Sequence, residues 1–243
     1  MNGLSQFCEK FKFVFIDDAR YKLIFGGLLN TLEITFFALL IGIVIGVIIA
    51  TIRSTYDKNI ESLRKYKGVG YYVLTILDVL ARIYLTVIRG TPTVVQLLIA
   101  YFIIFESATN GIPVAIFAFG INSGAYVAEI LRGGIMSVPN GQFEASRSLG
   151  FNYVQTMRYV VIPQVFKSVL PALCNEFIVL IKETSVAGYV GVNDLTKAGD
   201  LIRGRTFEAM LPLLGVAAIY LILVMILTSL VGKLERRLRV NER

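Results

Sequence analysis

The sequence predicts an all-α integral membrane protein with five membrane-spanning helices. The chain of 243 residues is 56% hydrophobic, and charged residues make up only 17% of it, whereas about a quarter is usual for a soluble domain. Its mean hydropathy is +0.69. The apolar residues form long runs, and about 20 such residues suffice to cross roughly 30 Å of hydrocarbon. This length leaves no room for an ordinary soluble domain as well.

The first apolar run covers 23–52 and contains a stripe of small residues. Ala38, Gly42, Gly46 and Ala50 recur every four residues. Small residues at this spacing let a second helix approach closely inside a membrane. The stripe therefore predicts helix packing.

Further apolar runs follow, and the run 71–88 differs from the others because it carries Asp78 and Arg82. We interpret 71–88 as a cytoplasmic-side interfacial or re-angled helix that leads into the second crossing. The five predicted crossings are 23–52, 93–110, 112–131, 163–182 and 209–231.

The basic residues indicate the orientation. With these crossings, 16 of the 24 Lys and Arg residues lie on the side that contains 53–92, 132–167 and 232–243. Loops rich in Lys and Arg face the cytoplasm. The sequence therefore predicts an extracytoplasmic N-terminal segment, 1–22, and a basic cytoplasmic tail, 233–243.

Other classes of protein fit the composition poorly. The net charge of +7 comes from residues at the ends of apolar runs, so it does not indicate nucleic-acid binding. The chain has no His and two separated cysteines, Cys8 and Cys174, so no metal site or other cofactor is expected on it. It also lacks the G-x₄-G-K-[ST] pattern that cradles phosphates. We therefore expect no ATP hydrolysis by this chain and no enzyme activity.

A polar segment, GQFEASRSLGFNYVQTMRYVVIPQ, occupies 141–164 between two apolar runs. We expect a short helix from Glu144 to Leu149, a left-handed stop at Gly150, and a second helix from about Asn152 into Pro163. Such a unit would project from the membrane as a rigid knob. The alternative is a pair of amphipathic helices that only covers neighbouring helix ends.

The spacing within this segment resembles the EAA signature, E-A-A-x₃-G-x₉-I-x-L-P, of the membrane-spanning subunits of bacterial ATP-binding-cassette (ABC) importers. The matching positions are Glu144, Ala145, Ser146, Gly150, Val160, Ile162 and Pro163. Ser146 replaces the second Ala, Val160 the Ile and Ile162 the Leu. The segment GTPTVVQ after Arg89 and the stretches FGINSGAYVAEILRGGIMSVPNGQFEASRSLG and LPALCNEFIVLIKETSVAGYVGV resemble the polar amino acid branch of these importers.

The resemblance covers 23–232 and implies a permease domain there, with a coupling loop at about 137–162. It implies a pair of permease subunits, identical or paralogous, in the bacterial cytoplasmic membrane. A cytoplasmic dimer of ATPases would hold the ATP and Mg²⁺. An extracytoplasmic solute-binding protein would deliver the amino acid. Glu144, Ala145, Ser146, Gly150 and Pro163 would then couple the permease to its ATPase.

Polar residues within the apolar runs are the candidates for substrate binding, because such residues are costly in hydrocarbon and usually line a polar path. Asn122, Tyr126 and Glu129 would share one helix face, and Glu129 is the leading candidate. Its alternative is an ion pair with Arg132 or another helix. Lys182 and Glu183 could also be simply solvated. The full set is Thr31, Asn122, Ser123, Tyr126, Glu129, Glu176, Lys182 and Glu183.

The sequence thus predicts the permease subunit of an ATP-driven importer for a polar amino acid, either a basic one or glutamine. A secondary transporter driven by an ion gradient could use the same carboxylates. A membrane scaffold without transport activity is the third hypothesis.

Overall fold

The computed structural model describes residues 3–66 and 68–240. No strand occurs in this part, so the predicted all-α class is confirmed. Its helices are α1 Gly3–Phe11, α2 Tyr21–Tyr66, α3 Val69–Gly90, α4 Thr93–Ile99, α5 Gly111–Ser137, α6 Asn140–Ser148, α7 Tyr153–Thr156, α8 Ile162–Glu183, α9 Leu195–Thr206 and α10 Met210–Val240. Lys67 and the outermost residues of the predicted segments 1–22 and 233–243 (1, 2 and 241–243) lie outside the described residues.

Five helical stretches within the described residues are long and apolar enough to cross a membrane, which matches the predicted number. They are Tyr21–Lys58, Val69–Gly90, Gly111–Ser137, Tyr153–Val190 and Met210–Leu238.

One of the five predicted crossings, 93–110, is missing from this set, and α3 stands in its place. The assignment of 93–110 as a full crossing was wrong, because its helix is only Thr93–Ile104, about 18 Å long at 1.5 Å per residue. The helix stops where Phe105 leaves the helical conformation, with φ −115° and ψ 42°. α3 has the membrane length that this helix lacks. The two helices are separated at Thr91, which is extended, as a residue before proline prefers.

The described chain falls into two compact units. The first comprises residues up to Ala38, Thr93–Phe119 and Phe177–Leu230, and the second comprises Leu39–Pro92, Gly120–Glu176 and residues from Val231. Each unit therefore joins stretches that are far apart in the sequence.

In the first unit, the start of α9 is fixed against α2. The Asp194 side chain caps α9 by accepting the N–H groups of Thr196 and Lys197, a common way to begin a helix. Burial raises the pKa of the Asp194 carboxyl, and these two N–H groups oppose the shift. A Cβ atom at Gly27 would lie 2.7 Å from the Asp194 backbone O, so glycine is what allows α2 this close.

In the second unit, the two glycines of the small-residue stripe of α2 pack against α5. A Cβ atom at Gly42 would lie 2.9 Å from Ser123 Oγ, and one at Gly46 would lie 2.5 Å from Val127 Cγ1. Ala50 at the end of the stripe is buried, and so is Ala38, which belongs to the first unit. The predicted packing is confirmed, and Gly46 marks its tightest point.

Candidate functional site

The predicted helix–Gly–helix segment lies in the second unit. α6 spans Asn140–Ser148, and Gly150 follows it with φ +85°. The N–H of Gly150 donates to Arg147 O at 2.9 Å, and that of Phe151 donates to Ser146 O at 3.0 Å. These two bonds form a Schellman motif, whose left-handed residue is least costly as glycine. The predicted helix stop at Gly150 is confirmed.

A second helix begins directly after this turn. The Asn152 side chain accepts the N–H of Gln155 at 2.9 Å, and the Gln155 side chain accepts the N–H of Asn152 at 2.9 Å. This reciprocal capping box fixes the start of α7. A π-helical turn, Met157–Val161, leads into α8, where Pro163 has no N–H to donate to the preceding turn. The segment is thus two helical pieces joined by one hydrogen-bonded corner.

The inner face of the segment is anchored in the second unit. Its buried apolar cluster consists of Val138, Phe143, Val161, Val165 and Val169. Full burial of a side chain such as Phe143 contributes about 1.5–3 kcal/mol. Ser146 is buried as well, and its hydroxyl donates to Gln142 O at 2.7 Å. A force on α6 would therefore be transmitted to α8 through packed side chains.

The outer face of the segment combines a carboxylate with large apolar groups. Leu149 and Val154, one on each side of the corner, are 78% and 70% exposed. Of the five residues predicted to act in coupling, Ser146 is buried and four are exposed: Glu144, Ala145, Gly150 and Pro163.

Sequence reasoning missed a contact between α2 and this segment. Lys58 Nζ donates to Asn140 Oδ1 at 2.8 Å and lies 4.6 Å from the centre of the Phe143 ring. The next residue along α2, Asp57, accepts from Arg132 at 3.1 Å. α2 thus holds both α6 and α5. No sequence signal marked Lys58, since its partners are about 80 residues away.

Two predicted substrate residues come together in the second unit. The Ser123 hydroxyl donates to Glu176 Oε1 at 3.0 Å. Both side chains are buried, and so is Asn122. A buried carboxylate can accept hydrogen bonds from the ammonium group of a ligand.

Glu129 lies in a different environment, also within the second unit. Arg132 Nη2 donates to Glu129 Oε2 at 3.4 Å, and Arg89 Nη1 is 4.0 Å from Oε1. The guanidinium of Arg89 also lies 5.6 Å from the centre of the Tyr126 ring. The ion pair given as the alternative for Glu129 is therefore present.

The remaining predicted residues belong to the first unit. Thr31 is fully buried, and its hydroxyl accepts the N–H of Leu195 at 3.1 Å. Lys182 is exposed and Glu183 is half-buried, both at the end of α8.

A second charged group was not predicted as a site. Asp78 is buried and accepts from Arg53 at 2.6 Å and from Arg82 at 2.8 Å. The spacing of Asp78 and Arg82, four residues apart on one helix, was a signal for their pairing. Because 71–88 was predicted to lie at the membrane surface, the bond from Arg53 to Asp78 was not expected.

Comparison with known proteins identifies the family. Residues 68–240 match the family of binding-protein-dependent transport system inner membrane components. The chain belongs to this family. The matched region of the permease contains the whole helix–corner–helix segment and the Ser123–Glu176 pair.

Relatives of known name agree with this assignment. The permease is 33% identical to the arginine transport system permease protein ArtQ of Bacillus subtilis over 222 residues, 90% of this chain and 94% of the relative. It is 39% identical to the glutamine transport system permease protein GlnP of Escherichia coli over 165 residues, 66% of this chain and 75% of the relative.

Solved structures agree as well. A chain from a crystal structure of an amino acid ABC transporter with histidines is 38% identical, with a TM-score of 0.78 over 92% of the permease and 98% of that chain. A chain of the inward-facing MetNI methionine ABC transporter has the same fold, at 21% identity and a TM-score of 0.73 over 90% of the permease and 97% of that chain.

Proposed function

We propose that this permease imports a polar amino acid, basic or glutamine, and is driven by a separate cytoplasmic ATPase that binds the ATP and Mg²⁺. The observation that carries the proposal is the anchored corner at Gly150. A packed and capped unit transmits the movement of a partner, whereas ordering a flexible loop would consume part of the work. The glutamine and arginine permeases among the relatives support the substrate class.

The complete transporter contains further chains. A second permease subunit, identical or paralogous, pairs with this one, and each docks on one ATPase through its α6–α7 corner. An extracytoplasmic solute-binding protein delivers the amino acid, in keeping with the name of the family.

The permease crosses the bacterial cytoplasmic membrane five times, with its N-terminus outside and its C-terminus in the cytoplasm. The stretch 69–104 supplies the second crossing. Residues 105–110 then reach the outer side, so the loops keep the sides that their basic residues favour. The α6–α7 corner thus lies in the cytoplasm, where the ATPase is.

The amino acid ammonium group binds Glu176, with Ser123 and Asn122 beside it, because a zwitterion needs a carboxylate acceptor for its ammonium and donors for its own carboxylate. The other proposed contacts along the path are Thr31, Tyr126, Glu129, Lys182 and Glu183.

The variant Glu176→Gln is expected to lower amino acid uptake at least tenfold. Glutamine keeps an oxygen for the Ser123 hydroxyl but removes the charge, and a hydrogen bond to a charged group contributes about 1.5–3 kcal/mol. Uptake of labelled arginine and glutamine into proteoliposomes measures the effect. Glu106→Gln, at an exposed position in a loop, is the control. Unchanged uptake of every amino acid tested would remove Glu176 from the site.

The variant Lys58→Met is expected to raise the number of ATP molecules hydrolysed per amino acid imported, about two- to fivefold. Methionine retains an apolar stem but loses the cation, whose contact with an aromatic ring contributes about 0.5–1 kcal/mol at exposed sites. Lys233→Met, an exposed lysine on α10, should leave the ratio unchanged. An unchanged ratio in Lys58→Met would mean that α2 does not take part in coupling.

The proposed function is tested by reconstituting the permease with its ATPase and binding protein and adding amino acids one at a time. A polar amino acid should stimulate ATP hydrolysis. If none does, or if the ATPase fails to bind the permease, the proposal is wrong.

A further inference from the structure

Two adjoining hollows on α3 have opposite chemistry. The first encloses about 440 Å³, and three arginines, Arg53, Arg82 and Arg89, contribute to its lining. The second encloses about 270 Å³ and is lined mainly by aliphatic side chains of one helix face, Val79, Ile83 and Val87. Arg82 and Thr86 line both hollows, so the polar space continues directly into the apolar one.

The polar hollow has more cationic groups than its neighbours neutralise. Among the described residues, four arginines pair here with three carboxylates: Arg53, Arg82, Arg89 and Arg132 with Asp57, Asp78 and Glu129. Asp78 is shared by two arginines, and so is Glu129. Arg53 Nε is buried and has no hydrogen-bond partner among these residues. An added anion would meet guanidinium donors that match its oxygens.

Two of the arginines, Arg53 and Arg82, lie at the depth of a lipid headgroup. Arg53 directly follows the apolar run 23–52 of α2, where the hydrocarbon region ends. Its ion pair with Asp78, at 2.6 Å, and the bond from Asp78 to Arg82, at 2.8 Å, bring Arg82 to the same level. From there the aliphatic face continues along α3 through Ile83 to Val87.

The exposed arginine and the exposed aliphatic side chains beside it favour a bound molecule that contacts both. The Arg82 side chain is 55% exposed, yet Val79, Ile83 and Val87 around it are about half exposed on a helix of membrane length. A guanidinium at this level is stabilised by the anionic head of a lipid. An aqueous phosphate would satisfy the arginines but leave the aliphatic hollow empty, whereas an amphiphile with an anionic head satisfies both.

We propose that the two hollows bind one anionic phospholipid of the cytoplasmic leaflet. Its phosphate accepts hydrogen bonds from Arg82, Arg89 and Arg53, and one acyl chain lies along Val79, Ile83 and Val87. Basic hollows between membrane helices on the cytoplasmic side suit such lipids. The leaflet follows from the orientation under the proposed function, but the binding itself requires neither ATPase nor amino acid.

Native mass spectrometry of the delipidated full-length permease tests the proposal. Phosphatidylglycerol and phosphatidylcholine of identical acyl chains are titrated separately. Phosphatidylglycerol should bind at least tenfold more tightly. Arg82→Gln and Arg89→Gln should each lower the affinity for phosphatidylglycerol at least fivefold, and Arg82→Lys should lower it less. The control is Arg237→Gln, an equal charge change on the exposed end of α10, which should leave this affinity unchanged. Thermal unfolding of each variant without lipid establishes that it is folded.

Further experiments distinguish a phospholipid from other possible occupants of the two hollows. Glycerol 3-phosphate, which has the anionic group without acyl chains, should not compete at millimolar concentration, and Ile83→Asn should weaken phosphatidylglycerol binding. Equal affinity for both lipids, or full competition by glycerol 3-phosphate, would overturn the proposal. So would efficient disulfide cross-linking of Ile83→Cys between two copies, with Cys8 and Cys174 replaced by serine, because a second permease would then cover this face. Failure of transport in reconstitution would leave the lipid result untouched.

Discussion

Replacing Gly150 with valine is expected to abolish amino-acid-stimulated ATP hydrolysis while leaving the permease inserted and folded. Gly150 has φ +85°, and a Cβ atom there would meet nothing within 4 Å. The cost is therefore backbone strain alone, about 1–3 kcal/mol for a side chain in such a conformation and highest for a β-branched residue. A penalty of this size lowers the population of the native corner conformation about five- to 150-fold relative to other conformations, because 1.4 kcal/mol corresponds to a factor of ten.

Gly141→Val is the matched control. Gly141 lies in the same segment, is exposed, and also has no neighbour within 4 Å of a Cβ atom, but its φ is not positive. Hydrolysis should survive this change, because the two substitutions differ only in backbone conformation. Normal stimulated hydrolysis in Gly150→Val, measured on the reconstituted complex, would contradict the coupling role of the corner.

Replacing Gly46 with leucine is expected to prevent formation of a stable permease. The new Cβ atom would lie 2.5 Å from Val127 Cγ1 and 3.0 Å from the backbone N of Ala128. Because α5 cannot move its backbone away without losing its own packing, overpacking of this kind costs about 1–3 kcal/mol or more. The yield of monodisperse protein on size exclusion and the midpoint of thermal unfolding in detergent should both fall.

Gly26→Leu on the same helix provides the comparison. A Cβ atom at Gly26 meets nothing within 4 Å, so this variant should purify like the wild type. Equal behaviour of the two variants would show that the contact between α2 and α5 is not a tight packing site.

Features with local causes were predicted correctly from the sequence. The stop at Gly150 follows from the conformation that glycine allows, and the following start from Asn152 and its capping partner. The small-residue stripe of α2 was also sufficient to predict close packing, because the spacing itself defines one helix face. In each case the determining residues lie within one or two helical turns of one another.

Features with distant causes could not be predicted. Ser123 and Glu176 are 53 residues apart, and Arg132 and Asp57 are 75 apart, so no local pattern could pair them. Nothing in 93–110 indicated that the helix in this stretch would end at Phe105. The helix in 93–110 is consequently shorter than predicted, and α3 is the longer of the two helices.

Uptake by reconstituted proteoliposomes tests the central claim most directly. Permease, ATPase and binding protein are incorporated together, ATP is supplied on the side of the ATPase, and labelled arginine or glutamine is added on the other side with an uncoupler present. We expect uptake that requires ATP and persists under the uncoupler. Uptake that proceeds without ATP and collapses when the ion gradient is dissipated would contradict the account and indicate a secondary transporter.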